Sequence, residues 1–291
     1  MPNNFDERFE QMKRSAGSET PAHEAATSGL NFIIATELVD LPSKGKFYPQ
    51  GHPLHNKETV EIKQMTAKEE DILTNRTYIK KGVVIDRLIQ SVLIDKSIDV
   101  SSLYVGDKNA IMVASRISAY GPEYSVSLAC DQCGNKSSHS INLEETTHRT
   151  ADTIEEEAGS NQALKHERLE NGNILLKLPK TGWYAECCLM NGMDEKRLLQ
   201  ITERKRQAGQ PDELSLSEQL GIIVVSINTV SDQRMLAEGI QNMPAFDAKY
   251  LRNTYSKLVP NVVIKKVYTC SACLSEQNVE VPFTQEFFWP K

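Results

Sequence analysis

Cys130-Asp-Gln-Cys133 and Cys270-Ser-Ala-Cys273 are two short cysteine pairs with residues 134 to 269 lying between them. Each is a C-x-x-C on a tight turn, and together they offer four thiolates, the number a tetrahedral structural zinc site needs. An ion held by both pairs ties the middle of the chain to its end. Four thiolates also fill the coordination shell and leave no open position for chemistry.

The flanks support a metal knuckle. Tyr124-Ser-Val-Ser-Leu-Ala129 alternates with period two before the first pair. Gly134-Asn135 suits the positive φ of a knuckle turn, and Ser140-Ile-Asn-Leu143 resumes as a strand. Val262-Val-Ile-Lys-Lys-Val-Tyr268 and Gln277-Asn-Val-Glu-Val281 frame the second pair, where Leu274 stands in place of the glycine. Two facing strand–knuckle–strand hairpins make a zinc ribbon. A rubredoxin-like iron or an iron–sulfur cluster takes the same four thiolates, so iron is not excluded. Disulfides and unligated thiols are the other readings. No apolar signal core occurs in Met1-Pro-Asn-Asn-Phe-Asp-Glu-Arg8, so a reducing, cytosolic compartment is expected.

The 291 residues, 40% of them hydrophobic, suffice for one large or two ordinary domains. A net charge of −6 argues against a dominant nucleic-acid footprint, and no apolar run is long enough for a membrane span.

Residues 1–30 are polar and read as a disordered arm. Residues 31–123 read as an N-terminal loop, strand and helical region. It contains the turn-rich loop Leu41-Pro-Ser-Lys-Gly-Lys-Phe-Tyr-Pro49, a strand from Thr59 to Lys63, and the capping box Thr66-Ala-Lys-Glu69. Helices are expected from Gly82 to Ile94 and from Lys108 to Ala119. Residues 124–143 are the first ribbon half and 144–163 a polar linker. Residues 164–260 open on a hairpin turning at Asn171-Gly172. Helices are expected after it at 181–191, 194–207, Leu216 to Val230, and up to Leu258. Residues 261–291 hold the second ribbon half and an aromatic tail. The fold class is α+β: a mainly helical body with short antiparallel hairpins and a zinc-ribbon-like unit formed by two distant knuckles.

No phosphate-loop, dinucleotide, nucleophile-elbow or HExxH motif is present. His52 and His55 lie in a proline-containing turn, and His139 is surplus beside four cysteines. Glu69, Glu70 and Asp71 sit at a helix start, where the helix dipole favours acids. Cys187 and Cys188 read as small core residues on a helix. The basic run Lys196-Arg197 to Arg204-Lys-Arg206 is interleaved with Asp194, Glu195 and Glu203, the pattern of a solvated, salt-bridged face. The expectation is a non-enzymatic protein.

Four stretches carry a resemblance: Leu41-Pro-Ser-Lys-Gly-Lys-Phe-Tyr48, Met65-Thr-Ala-Lys-Glu-Glu-Asp-Ile-Leu73, Asp99-Val-Ser-Ser-Leu-Tyr-Val-Gly-Asp107 and Arg116-Ile-Ser-Ala-Tyr-Gly121. With Cys130-Asp-Gln-Cys133 following, the chain resembles the baseplate hub and hub-assembly proteins of T-even-like contractile-tailed bacteriophages over about residues 35 to 145. The resemblance implies a virion structural or assembly protein made in the host bacterial cytoplasm and acting on other baseplate and tail proteins. It implies no membrane, nucleic-acid or small-molecule partner. Lys44, Phe47 and Tyr48 of the loop and Phe287, Phe288 and Trp289 of the tail are the candidate contact residues, since partner surfaces favour aromatics and exposed loops; the alternative is that these aromatics simply cover the core. The competing reading is a nucleic-acid-associated zinc-ribbon adaptor.

Overall fold

The computed structural model describes residues 23–25, 32–161, 164, 166–211, 214–281 and 285–288. The arm expected over residues 1–30 therefore lies outside the described residues except for β1 (His23–Ala25), which pairs antiparallel with β2 (Phe32–Ile34). β3 (Thr36–Asp40) pairs with β4 (Thr59–Lys63), and the alternation of β4 turns Val60 and Ile62 inward. The Thr66–Glu69 capping box opens α1 (Ala67–Thr74), and α2 (Arg76–Lys80) follows. In α3 (Val84–Val92) the stripe Val84, Leu88 and Val92 is buried together with Ile89. α4 (Val105–Tyr120) starts a turn earlier than its apolar periodicity suggests and stops at Gly121, whose φ is 80°. β5 (Glu123–Ala129) and β6 (Lys136–Asn142) form the hairpin of the first knuckle.

The polar stretch 144–163 is not a linker as expected. It carries β7 (Thr147–Arg149) and α5 (Ala151–Ser160), which begins at a Thr150–Thr153 capping box. Its acids line the exposed face while Ala151 and Ile154 are buried, so two inward residues suffice to dock a helix that looks solvated in composition. β8 (Glu167–Arg168) and β9 (Ile174–Lys177) flank the Asn171-Gly172 turn. β10 (Tyr184–Cys187) corrects the helix expected at 181–191: alternation buries Ala185 and Cys187 between paired strands. α6 (Gly192–Gln207) and α7 (Leu216–Ile223) are next. The helix expected to reach Val230 ends at Ile223, where the β-branched run continues as β11 (Val224–Ile227) and closes the sheet order β11-β10-β9-β8. α8 (Gln233–Gln241), which sequence periodicity did not flag, and α9 (Ala245–Leu258) complete this part.

The chain then returns as β12 (Asn261–Thr269) and β13 (Glu276–Val281), the hairpin of the second knuckle. The apolar side chains form two cores. One joins residues from Val39 to Leu143 with Val262, Ile264, Tyr268, Val281, Phe287 and Phe288. The other runs from Ile154 to Leu258. The second body is thus inserted between the halves of the ribbon, and its ends are held side by side because β7 pairs antiparallel with the start of β12 (Asn261 opposite Arg149, Val263 opposite Thr147).

One detail fixes this join, and a second lies within the first body. A Cβ on Gly106 would lie 2.1 Å from the Pro260 carbonyl oxygen, so only glycine lets the first turn of α4 abut the outgoing chain. Glu69 is fully buried and takes hydrogen bonds from Lys63 Nζ (2.6 Å) and Ser91 Oγ (2.5 Å) on one oxygen, and from Thr66 N (3.0 Å) and Oγ1 (2.6 Å) on the other. Burial alone would raise its pKa. These donors outweigh that and hold it at about 2, below the ordinary 4.5.

Gly106→Ala should overpack this contact and cost about 1–3 kcal/mol, measured by denaturant unfolding. Because the folded pKa of Glu69 is depressed, its contribution is fully present above about pH 4.5 and is lost as pH falls toward 2. The acid limb of a stability–pH profile should therefore flatten in Glu69→Gln, a variant that also loses about 1.5–3 kcal/mol at neutral pH.

Candidate metal centre

Each knuckle is built by the same pair of backbone hydrogen bonds. Cys130 N donates to Asn135 O (2.9 Å) and Gly134 N to Cys130 O (2.8 Å). In the second hairpin Cys270 N donates to Ser275 O (2.9 Å) and Leu274 N to Cys270 O (2.9 Å). Gly134 and Leu274 occupy equivalent left-handed positions, with φ of 72° and 59°. The missing glycine of the second knuckle therefore does not change the turn; a leucine adopts the strained conformation instead.

The two turns face each other. Cys130 Sγ lies 3.6 Å from Cys273 Sγ, and Cys133 Sγ lies 3.7 Å from Cys270 Sγ. All four sulfurs are within 4.8 Å of one another. None is bonded to another, so the disulfide reading fails. A tetrahedron with metal–sulfur bonds of about 2.3 Å has edges of about 3.8 Å. The closest sulfur pairs match that edge, and the site could hold one metal ion. Cys130 and Cys270 are buried while Cys133 and Cys273 face solvent, so the site is anchored in the core and open on one side.

The surrounding groups prepare thiolates unequally. Backbone amides of Cys273 and Ala272 pull the Cys270 thiol down to about 6. At Cys133 the Asn135 amide lowers the pKa, but neighbouring sulfurs and burial drive it up to about 12. Four sulfurs this close cannot all be anionic without a cation among them. Gln277 was not singled out from sequence. It is buried on β13, its Oε1 accepts from Asp131 N (3.4 Å) and its Nε2 donates to Ser275 Oγ (2.6 Å), latching one knuckle to the other. A glutamine at an inward position of an alternating strand is the signal that marks it. His139 is not a ligand; its ring lies against Tyr268, with centroids 4.2 Å apart, and Ser137 Oγ is 2.8 Å from its Nε2.

The contact candidates lie elsewhere than expected. Tyr48 is buried, not exposed: its hydroxyl donates to Asp107 Oδ2 (2.8 Å) and accepts from Tyr104 N (3.1 Å). Asp107, wholly buried, also accepts from Ser43 N (3.0 Å) and Ser43 Oγ (2.6 Å). Burial pushes its carboxyl up, and these three donors partly offset the shift. Phe47 turns the other way, beneath the Arg168 guanidinium at 4.6 Å in the second body. Lys44 and Lys46 both reach Asp152 on α5, at 2.6 and 2.5 Å. The 44–48 loop thus ties the two bodies together. Phe287 and Phe288 are buried too, Phe287 meeting Tyr124 edge-on at 5.1 Å between ring centroids. Their apolar area closes the first core, so these two rings follow the core-covering alternative rather than an exposed tail. Trp289 lies outside the described residues.

His52 stacks on Tyr48 and lies 2.8 Å from Ser102 Oγ, while His55 Nδ1 lies 2.6 Å from Tyr48 O; both histidines serve the loop. Cys187 is buried in β10, and the Cys188 carbonyl accepts from Tyr255 OH (2.9 Å), so this pair belongs to the second core. In the basic run, Lys205 pairs with Glu218 (2.9 Å), Lys196 approaches Asp86 (3.6 Å), and Arg206 pairs with Glu203.

Comparison with protein families finds one whose model, described as T4 bacteriophage base plate protein, matches residues 34–289. The match spans both bodies and both knuckles. Neither the curated proteins nor the solved structures provide a significant match.

The two knuckles should respond oppositely to exchange of their turn residues. Gly134→Leu should cost about 1–2 kcal/mol through left-handed strain. Leu274→Gly should hold or raise stability by up to about 1 kcal/mol, since the strain it relieves exceeds the added unfolded-chain entropy. Thermal unfolding of both variants, with metal content measured in parallel, checks this.

Proposed function

The chain belongs to the T4 bacteriophage base plate protein family, and from that premise we propose that it is a non-enzymatic structural or assembly element of the baseplate hub, stapled by one Zn2+ on Cys130, Cys133, Cys270 and Cys273. The observation that carries the proposal is the convergence of four thiols from two distant turns on one tetrahedral site. When bound, the ion supplies no reaction; it cross-links the ribbon. Four thiolates leave it without an open position for water or substrate.

The magnitude supports this role. Binding of structural zinc is worth roughly 10 kcal/mol or more in small zinc domains, comparable with the whole stability of an ordinary protein. Such a staple suits an element that must keep its geometry among neighbouring tail proteins while the tail works. Synthesis in the host cytoplasm agrees with the unpaired thiols, since a reducing compartment keeps them available for metal. The adaptor reading loses support because Lys205 and Arg206 of its basic run are already paired with Glu218 and Glu203.

Cys130→Ser or Cys273→Ser should release the metal, loosen both hairpins and abolish tail assembly. Elemental analysis of the purified chain should find one zinc in the parent protein and a large loss in either variant. Normal tails from a metal-free variant would sink the structural role.

A further inference from the structure

Tyr48, Phe287 and Phe288 are buried and Phe47 is half-buried against the second body, so these aromatics offer little contact surface. A groove of about 800 Å3 runs between the α2–α3 turn and the C-terminal half of α6. Its floor is apolar: Ile79, Val83 and Leu199, the last half exposed at 50%. Its rim is basic: Lys80, Lys81, Lys196, Arg204 and Arg206. Among the described lining residues Glu203 is the single acid, and Arg206 and Gln207 both engage it. Lys196 leans toward Asp86, which leaves Lys80, Lys81 and Arg204 without an ion pair among the described residues.

This charge is out of keeping with a chain whose net charge is −6. Helix dipoles account for part of it, because the rim gathers the C-terminal ends of α2 and α6. Two such ends carry only about one negative charge together. The remaining cations sit at the mouth with their carboxylates unsupplied.

We propose that this groove docks an acidic, amphipathic segment of a neighbouring tail protein. An apolar side chain would rest on Leu199, Ile79 and Val83, and its carboxylates would pair with Lys80, Lys81 and Arg204. A single-stranded nucleic acid fits less well, since sequence-tolerant strand binding relies on stacking rings and no aromatic residue lines the groove. The overall negative charge also opposes steering of a polyanion as long as DNA or RNA. That the partner is a tail protein rests on the baseplate reading; the chemistry of the groove does not.

The test places a photo-reactive phenylalanine analogue at Gln200, an exposed lining residue, in the full chain made alongside the tail proteins of the same phage. Cross-linked peptides are then mapped by mass spectrometry. The expected product is a segment of net negative charge carrying an apolar residue, with its yield falling at least fivefold in the combined Lys80→Glu, Lys81→Glu and Arg204→Glu variant. Metal content should stay at the parental value in that variant and the thermal midpoint should fall only slightly, since these side chains are exposed and unpaired but lie at helix C-terminal ends. Leu199→Asp should reduce the yield independently of the charge change. A cross-link to nucleic acid, to a second copy of the chain, to a segment without acids, or one insensitive to charge reversal overturns the proposal, as does the lack of any cross-link. An acidic segment mapped to a tail protein outside the hub upholds the groove while removing the hub assignment.

Discussion

Two turns separated by an entire inserted body must bring four sulfurs within 4.8 Å of one another, and the rest of the architecture is arranged around that requirement. The second body begins on β7 and ends on β12, which are paired neighbours, so its bulk is hung from one edge of the ribbon sheet. Closing a loop of this length costs the unfolded chain on the order of 5 kcal/mol in conformational entropy. In the folded chain the β7–β12 pairing, the Gly106–Pro260 contact and the 44–48 loop offset part of that cost alongside the knuckles. A metal at the site would add a cross-link to an arrangement that these contacts also hold.

The 44–48 loop shows how tightly the bodies are coupled. Tyr48 enters the first core through Asp107 and Tyr104, Phe47 lies under Arg168 of the second, and two lysines share Asp152. Near them Lys108, almost fully buried on α4, is paired with Asp86 on α3 and Glu195 on α6. Burial disfavours its charge, and these two carboxylates more than compensate, so its pKa is raised. Removing either body would leave buried charges and rings without partners, a cost of several kcal/mol by ordinary measures. Relative motion of the bodies is therefore restricted.

What was legible in the sequence had a local physical cause. The cysteine pairs, the Thr66–Glu69 capping box, the stripe of α3 and the Asn171-Gly172 turn each depend on side chains a few residues apart. The α+β class with a ribbon from distant knuckles followed from them and is what the structure shows. Illegible features were those decided by tertiary partners. Trp183 to Cys188 reads as apolar and helical until its neighbours β9 and β11 are present to pair with it. Ile222 to Val225 passes from helix to strand with no breaker, because the sheet edge supplies hydrogen bonds the helix would otherwise keep. Aromaticity marked Tyr48, Phe287 and Phe288 as notable but could not tell surface from core; Asp107 and Arg116, which lie against them, are far away in sequence. At the candidate metal centre the two cysteine pairs that the structure brings together were legible, whereas Gln277 and the shared turn geometry of Gly134 and Leu274 were not.

The insertion also imposes a schedule. A ribosome that has completed the first knuckle must still make residues 134 to 269 before the second exists, about ten seconds or more at ordinary elongation rates. Throughout that interval Cys130 and Cys133 form half a site, too few ligands to hold an ion firmly. A metal held by all four sulfurs would therefore require a chain synthesised through its second knuckle, with the inserted body no longer keeping the two turns apart.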